Sequence, residues 1–260
     1  MTLHHYDLIV INTSGGKDSV CAIIEVLQLT QEQGWRGPVH LSHQDLGDME
    51  WAGVSELVWR QASHFNLPLT VSTRIKDGIQ DSILAYVLRR GKWPSNKQRW
   101  CTSDFKRAPG QKVLRQLAAQ HGAKSVLNVF GFRAQESSSR AKRSVLSPNK
   151  ALTTRSRKVY DYLPIHGWDL KNVWATIRAH NVPMHQAYAL GMPRLSCQFC
   201  IFAPKEALLI AGLNDPAKLN RYIEVEKATG HTFRNGFSLM SILDSINAGA
   251  VPVPVPDWNM

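Results

Sequence analysis

Short apolar runs and longer amphipathic stretches alternate along most of this chain. The runs at 6–11, "PVHLS", "LPLTVS" and "SVLNVF" are bounded by turn residues and predict four strands. Apolar residues three and four apart predict helices over 18–29, 50–65, 79–89 and 111–121. In the first of these, Val20, Ile23, Ile24 and Leu27 share a face. Strands alternating with helices predict a parallel sheet with flanking helices, an α/β fold. After Gly131 the rhythm breaks. Residues 133–158 are polar and basic and read as a long surface loop, and a helix resumes over 168–180. From Lys205 onward, helical segments are punctuated by "LNDPAK" and "ATGHTFRNG". The closing "VPVPVP" predicts an extended arm, because prolines at alternate positions cannot donate to a strand ladder. The expected division is an α/β domain over 1–204, then a small helical extension with a proline-rich tail over 205–260.

Composition sharpens this picture in three ways. With 43% hydrophobic residues, 260 residues can bury one sizeable core and a small annex. No apolar run approaches the roughly 20 residues of a membrane span, and "MTLHHYDLIV" lacks a basic leader, so the expectation is a cytoplasmic protein with no membrane contact. The balance of 31 Lys and Arg against 20 Asp and Glu favours an anionic partner: nucleotide, sulfate or nucleic acid. Four cysteines in such a chain suit metal ligands, reactive thiols or core positions better than a disulfide framework.

The densest chemistry lies in "INTSGGKDSVCAII", where the first strand turns into the first helix. First-turn amides of a helix lack intrahelical partners, and the helix dipole places positive charge there, so an anion belongs at this corner. Gly15 and Gly16 allow close backbone approach to phosphate oxygens, Ser14 and Ser19 offer hydroxyls, and Lys17 brings a full charge. The plainer alternative is a turn capped by Ser14, with Lys17 solvated. No glycine stands where a Walker loop requires one.

"SGGKDS" resembles the pyrophosphate-binding signature of the PP-loop enzymes, which cleave or activate a nucleotide at its α-phosphate. The resemblance implies an adenine-nucleotide α-hydrolase-like fold and phosphate-binding roles for Ser14, Gly15, Gly16, Lys17, Asp18 and Ser19. Asp18 would either coordinate magnesium entering with ATP or bond structurally to the turn. "HQDLGDMEW", "RWCTSDFKRAP", "GFRAQESSSR", "LPIHGWDLKNVW" and "YALGMPRLSCQFC" are similar, in the same order, to blocks of the phosphoadenosine-phosphosulfate (PAPS) reductase family. Together they span most of 6–202. The first of them implies a place near the adenosine for Asp45. Arg133 and Arg140 flank a Ser-rich turn at the expected ligand edge of the sheet, where guanidinium groups suit phosphate; the plainer reading of Arg140 is a solvated loop residue. Lys17, Asp18 and Arg133 form the expected catalytic set.

Cys197 and Cys200 form a C-x-x-C pair, and Cys101 lies far away in sequence. Two thiolates on one loop and a third from another can hold one metal centre. Resemblance to reductases acting on adenylyl sulfate (APS) and to thiolation enzymes implies a [4Fe-4S] cluster with three Cys ligands. Those reductases carry Cys-Cys where this chain has Trp100-Cys101, which leaves one iron open. Structural zinc completed by a histidine and a dithiol redox pair are the alternatives. Cys21, on the first helix, is expected to be buried and inert. His4 and His5 read as surface residues; His166 and His185, near the cysteine blocks, are candidate metal ligands with a structural role as the plainer reading.

Thiol-dependent reductases of the family take sulfur on a cysteine in a Glu-Cys-Gly segment, and no cysteine follows Cys200 here. "RWCT" and "FRAQESSSR" look closer to the ATP-hydrolysing sulfur-transfer component of DNA phosphorothioation systems and to phage-borne members. The expectation is therefore ATP cleavage at the α-phosphate with pyrophosphate release, serving sulfur transfer to DNA, tRNA or a small acceptor, with a separate sulfur-donor or reductant protein. The alternatives are APS or PAPS reduction with an external thiol, and a non-catalytic nucleotide- or nucleic-acid-binding component. The cations of 133–158 suit a nucleic-acid-binding loop and a solvated loop equally.

Overall fold

In the computed structural model, which describes residues 1–255, β1 (Leu8–Thr13) is buried along almost its whole length. A strand apolar on both faces calls for a helical layer on each side. The chain continues through α1 (Lys17–Glu32), β2 (Val39–Gln44), α2 (Val54–His64), β3 (Leu69–Ser72), β4 (Ile75–Lys76), β5 (Ile79–Gln80) and α3 (Ile83–Arg90). Next come α4 (Trp100–Thr102), a π-helical turn (Ser103–Arg107), α5 (Ala108–Gln120), β6 (Ser125–Phe130), α6 (Ser138–Ala141), β7 (Leu146–Pro148) and β8 (Lys158–Tyr162). The described chain ends with α7 (Leu170–Ala179), α8 (Lys205–Asn214), α9 (Pro216–Thr229) and α10 (Met240–Asn247). Two compact units result, both discontinuous in sequence. Unit 1 comprises Met1–Asp45, Gly53–Ser72 and Ala108–His185; unit 2 holds Leu46–Ala52, Thr73–Arg107 and the chain from Gln186 onward.

Unit 1 is built on a six-stranded sheet ordered β3-β2-β1-β6-β8-β7. Neighbours are parallel except β7, which runs antiparallel to β8. Ile9, Ile11, Leu127 and Val129 pack with Ala22, Ile23 and Val26 of α1 on one face. Leu8, Val10, Val126 and Val159 pack with Val113, Leu114 and Leu117 of α5 on the other. From β1 the chain steps outward to β2 and β3, then crosses to β6 and β8 on the opposite side. The strand order therefore reverses between β1 and β6, and open α/β sheets bind ligands at the C-terminal ends of strands at such a point. This α/β architecture, a mainly parallel sheet with flanking helices, is the one the sequence pattern predicts.

Several local expectations are corrected. Residues 133–158 are not one loop: they contain α6 and β7, and β8 begins at their end. β8 escaped notice because its pattern is short and its partners lie far away, at 125–129. The helix expected over 79–89 starts at Ile83, capped by Ser82, and β4 and β5 form a hairpin before it. The helix expected from Glu50 begins at Val54, after Gly53 in the left-handed conformation, so Trp51 lies outside it. The apolar face of α1 is split, because α7 covers a second side. Val20, Cys21 and Ile24 pack with Val173 and Ile177, whereas Ile23 faces the sheet.

Unit 2 is helical. Tyr222 of α9 stacks on Trp93 at 5.7 Å and contacts Phe199 at 4.9 Å, and Trp93 meets Phe233 edge-on. Buried Glu226 accepts from the amides of Phe233 and Leu239 and from Ser238 Oγ, which fixes the segment between α9 and α10. Residues 251–255 take no helical or strand hydrogen bonds; the last residue of the expected arm, Pro256, and the rest of the tail, 257–260, lie outside the described residues.

Candidate functional site

The corner after β1 is built around one carboxylate. Gly15 has a φ of 72° and Gly16 caps α1, so Lys17 and Asp18 occupy its first turn. Lys17 is fully buried, and its Nζ lies 3.1 Å from Asp18 Oδ2. Arg133, which follows β6, is 1% exposed and donates from Nε to Asp18 Oδ1 at 2.6 Å. Asp18 thus joins the ends of β1 and β6 at the point of strand reversal.

Further bonds hold the turn. Ser19 Oγ donates to Gly16 O at 2.8 Å and accepts from Ser14 N at 3.3 Å. Gly15 N donates to Thr13 Oγ1, Gln61 Nε2 donates to Gly15 O at 3.1 Å, and the His43 Nδ1 atom lies 3.0 Å from Thr13 O. Asp45, at the end of β2, donates its amide to Ser72 O. Arg140 pairs with Glu136, which also accepts from Arg133 N, and its guanidinium lies 4.3 Å from the Phe132 ring centre. Ser14, Gly15, Gly16 and Ser19 are thus tied together through Thr13 by hydrogen bonds, and Lys17, Asp18 and Arg133 form an ion-paired set. Arg140 joins that set through Glu136.

Gly131 was missed in the sequence reading. A Cβ there would lie 2.4 Å from Asp18 O and 2.8 Å from Ser19 N, closer than carbon atoms pack. Only glycine lets β6 leave the sheet across the start of α1. The signal available in sequence was its position directly after the last strand residue, Phe130. Gln61, His43 and Glu136 were missed as well; they act on the turn through long-range contacts that no local pattern marks.

The three candidate thiols all belong to unit 2. Between Cys197 and Cys200, Gln198 and Phe199 turn inward: Gln198 accepts from Lys218 Nζ at 2.7 Å, and Phe199 packs on Tyr222. The two cysteines flanking them stay half-buried. Enclosure pushes the Cys197 thiol up to about 12; Lys106 pulls it down, while Cys200 and Cys101 push it further. Enclosure likewise raises Cys200, against the pull of the Phe202 backbone and Lys106. Lys106 itself is exposed by area. Desolvation lowers it, Cys197, Glu50, Cys200 and Cys101 raise it, and the net direction is upward.

The three thiols thus share one electrostatic neighbourhood with a lysine. Among the described residues, no three His, Cys, Asp or Glu side chains stand in a metal-holding arrangement. The all-sulfur donor set fits a thiolate-bound centre in its chemistry. His166 bonds to Arg140 O at 2.9 Å. Cys21 is fully buried, donates to Val173 O, and is raised by burial to about 12.

The phosphoadenosine phosphosulfate reductase domain matches residues 8–203, and the chain belongs to that family. No curated protein matches it. Among solved structures it is similar to the phosphoadenylyl-sulfate reductase of Candida auris, at 19% identity and a TM-score of 0.47, over 73% of this chain and 80% of that one. It is also similar to the U34-tRNA thiolase NcsA of Methanococcus maripaludis with its [4Fe-4S] cluster, at 12% identity and 0.45, over 91% and 72%. A third is the FMN adenylyltransferase of Candida glabrata, at 14% and 0.47, over 74% of this chain and about half, 54%, of that one. No described helix is long and apolar enough to cross a membrane.

Proposed function

We propose that this chain is a nucleotide-activating enzyme that binds ATP at residues 14–19 and cleaves it at the α-phosphate. The observation supporting this most is the Lys17–Asp18–Arg133 network at the strand reversal, inside a domain of the PAPS reductase family. ATP enters as its magnesium complex, with its terminal phosphates against the amides of 15–19. An acceptor oxygen attacks the α-phosphorus, the bond to the bridging oxygen breaks, and pyrophosphate leaves with that electron pair. Lys17 and Arg133 stabilise the charge on the leaving group, and Asp18 holds both cations in place before the substrate arrives. Arg140 contacts a phosphate, and Asp45 lies on the adenosine side. A sulfur nucleophile at the hydrosulfide level, brought by a donor protein, then displaces AMP from the adenylated acceptor.

Cys101, Cys197 and Cys200 would hold a [4Fe-4S] cluster, with zinc as the competing occupant. Bound there, a cluster with three protein ligands would supply an open iron site for a sulfur ligand. The acceptor is a nucleic acid, DNA or tRNA, or a small molecule. In the test, the protein is incubated anaerobically with ATP and magnesium. AMP and pyrophosphate are expected, and ADP with phosphate would refute the reading. Iron and sulfide assays on anaerobically purified protein separate a cluster from zinc. A second reading, reduction of APS or PAPS with an external thiol, is favoured by the matched family's name and predicts sulfite release with a thiol-donor protein.

A further inference from the structure

The positive charge of this chain is concentrated in two segments. Residues 73–107 hold nine Lys and Arg against three Asp, and residues 133–158 hold eight against one Glu. The other 199 residues sum to −2, so these two segments account for the entire +11. In unit 1, the second segment uses Arg133 and Arg140 internally, on Asp18 and Glu136. The first segment lies wholly in unit 2 and contains Cys101.

Its architecture is organised around Tyr86. Arg74, Arg89 and Arg90 place their guanidinium carbons 4.5, 5.3 and 5.4 Å from that ring's centre, and Trp100 meets it edge-on at 4.8 Å. Asp81 takes both oxygens of its carboxylate to Arg89 and one also to Arg74. The hairpin, α3 and α4 are thereby tied together. Arg89 and Arg90 end α3 at Gly91, in the left-handed conformation with φ 66°, where cations also suit the helix dipole. Beyond them Lys92, Lys97 and Arg107 stand exposed and form no ion pair among the described residues. A cation held on an ordered scaffold without a carboxylate recruits its counterions from outside, and a polyanion that displaces several small ions is favoured by their release. Arginine stacked on aromatic rings suits planar bases as well as phosphates.

We infer that segment 73–107 of unit 2 docks the backbone of the nucleic acid that receives sulfur, with Arg90, Lys92, Lys97 and Arg107 as phosphate contacts. The inference rests on the proposed function in its choice of acceptor. The sequence alone offered 133–158 for such contacts, on equal terms with a solvated loop.

Binding is measured without ATP, so its failure is distinct from failure of ATP cleavage. A labelled 20-nucleotide single-stranded RNA and a 20-base-pair DNA duplex are titrated by fluorescence anisotropy across a salt series. Lys92→Ala/Lys97→Ala/Arg107→Ala should weaken binding about 10- to 100-fold at 100 mM salt and flatten the salt slope by about 2. The RNA and DNA arms show which acceptor is preferred. Lysine acetylation footprinting of the unaltered protein gives a readout free of folding effects: Lys92 and Lys97 should be protected by bound nucleic acid. The inference is overturned by protection confined to Lys142 and Lys150, by an unchanged slope in the triple variant, or by absence of binding at low salt. Equal affinity for polyglutamate of matched charge would also overturn it, in favour of an acidic protein partner.

Discussion

The phosphate corner of unit 1 and the basic segment of unit 2 are both cationic, but they treat their charges in opposite ways. At the corner, Lys17 and Arg133 are buried and already share Asp18. In the basic segment, Lys92, Lys97 and Arg107 are exposed, and no carboxylate neutralises them among the described residues. Cations fixed by an internal carboxylate are set at one geometry, which is what stabilising charge on a leaving group requires. Cations left to solvent gain by exchanging small counterions for a long anion. The first arrangement belongs to chemistry on a small ligand, the second to holding a large one.

Four substitutions break or sharpen this contrast. The largest effect is expected from Lys17→Ala, which should cut pyrophosphate release by about 100- to 1000-fold, the usual loss of one preorganised charge-stabilising group. The check is a coupled pyrophosphate assay on protein whose melting is unchanged. Next, Arg133→Ala leaves Asp18 with Lys17 alone and should cost about 3 kcal/mol, read by urea unfolding, because one side of a buried pair is lost. Gly131→Ala forces a carbon into Asp18 O and should cost about 1–3 kcal/mol by the same method, with a matching loss of ATP affinity in calorimetry.

The last effect is confined to alkaline pH and concerns Cys21. Its folded value of about 12 exceeds the ordinary 9.0, so the stability due to its bound proton is present below pH 9 and lost as pH rises toward 12. Cys21→Ala should remove a fall of up to about 1.4 kcal/mol per pH unit in that window, seen as a flatter unfolding curve than that of the unaltered chain.

The sheet of unit 1 was legible because its central strands are local apolar runs: "SVLNVF" is the strand Ser125–Phe130 itself. β8 was not, since Lys158–Tyr162 acquires strand character only by pairing with 125–129 and burying Val159. At the corner, "SGGKDS" is contiguous and could be read whole. Gln61, Glu136 and Gly131 reach it from other elements, and their contribution is steric or by hydrogen bond, which leaves no periodic trace. The two-unit organisation was hidden for the same reason, because unit 2 is assembled from three separated segments. The thiol pair at Cys197 and Cys200 was visible as spacing, whereas Lys106 beside it was not.

The most direct test of the phosphate corner follows oxygen. ATP and magnesium are turned over in 18O-labelled water, with water as the acceptor, and the products are separated and weighed. Attack at the α-phosphorus predicts one heavy oxygen in AMP and none in pyrophosphate. Label in pyrophosphate, or in free phosphate beside ADP, would contradict the account.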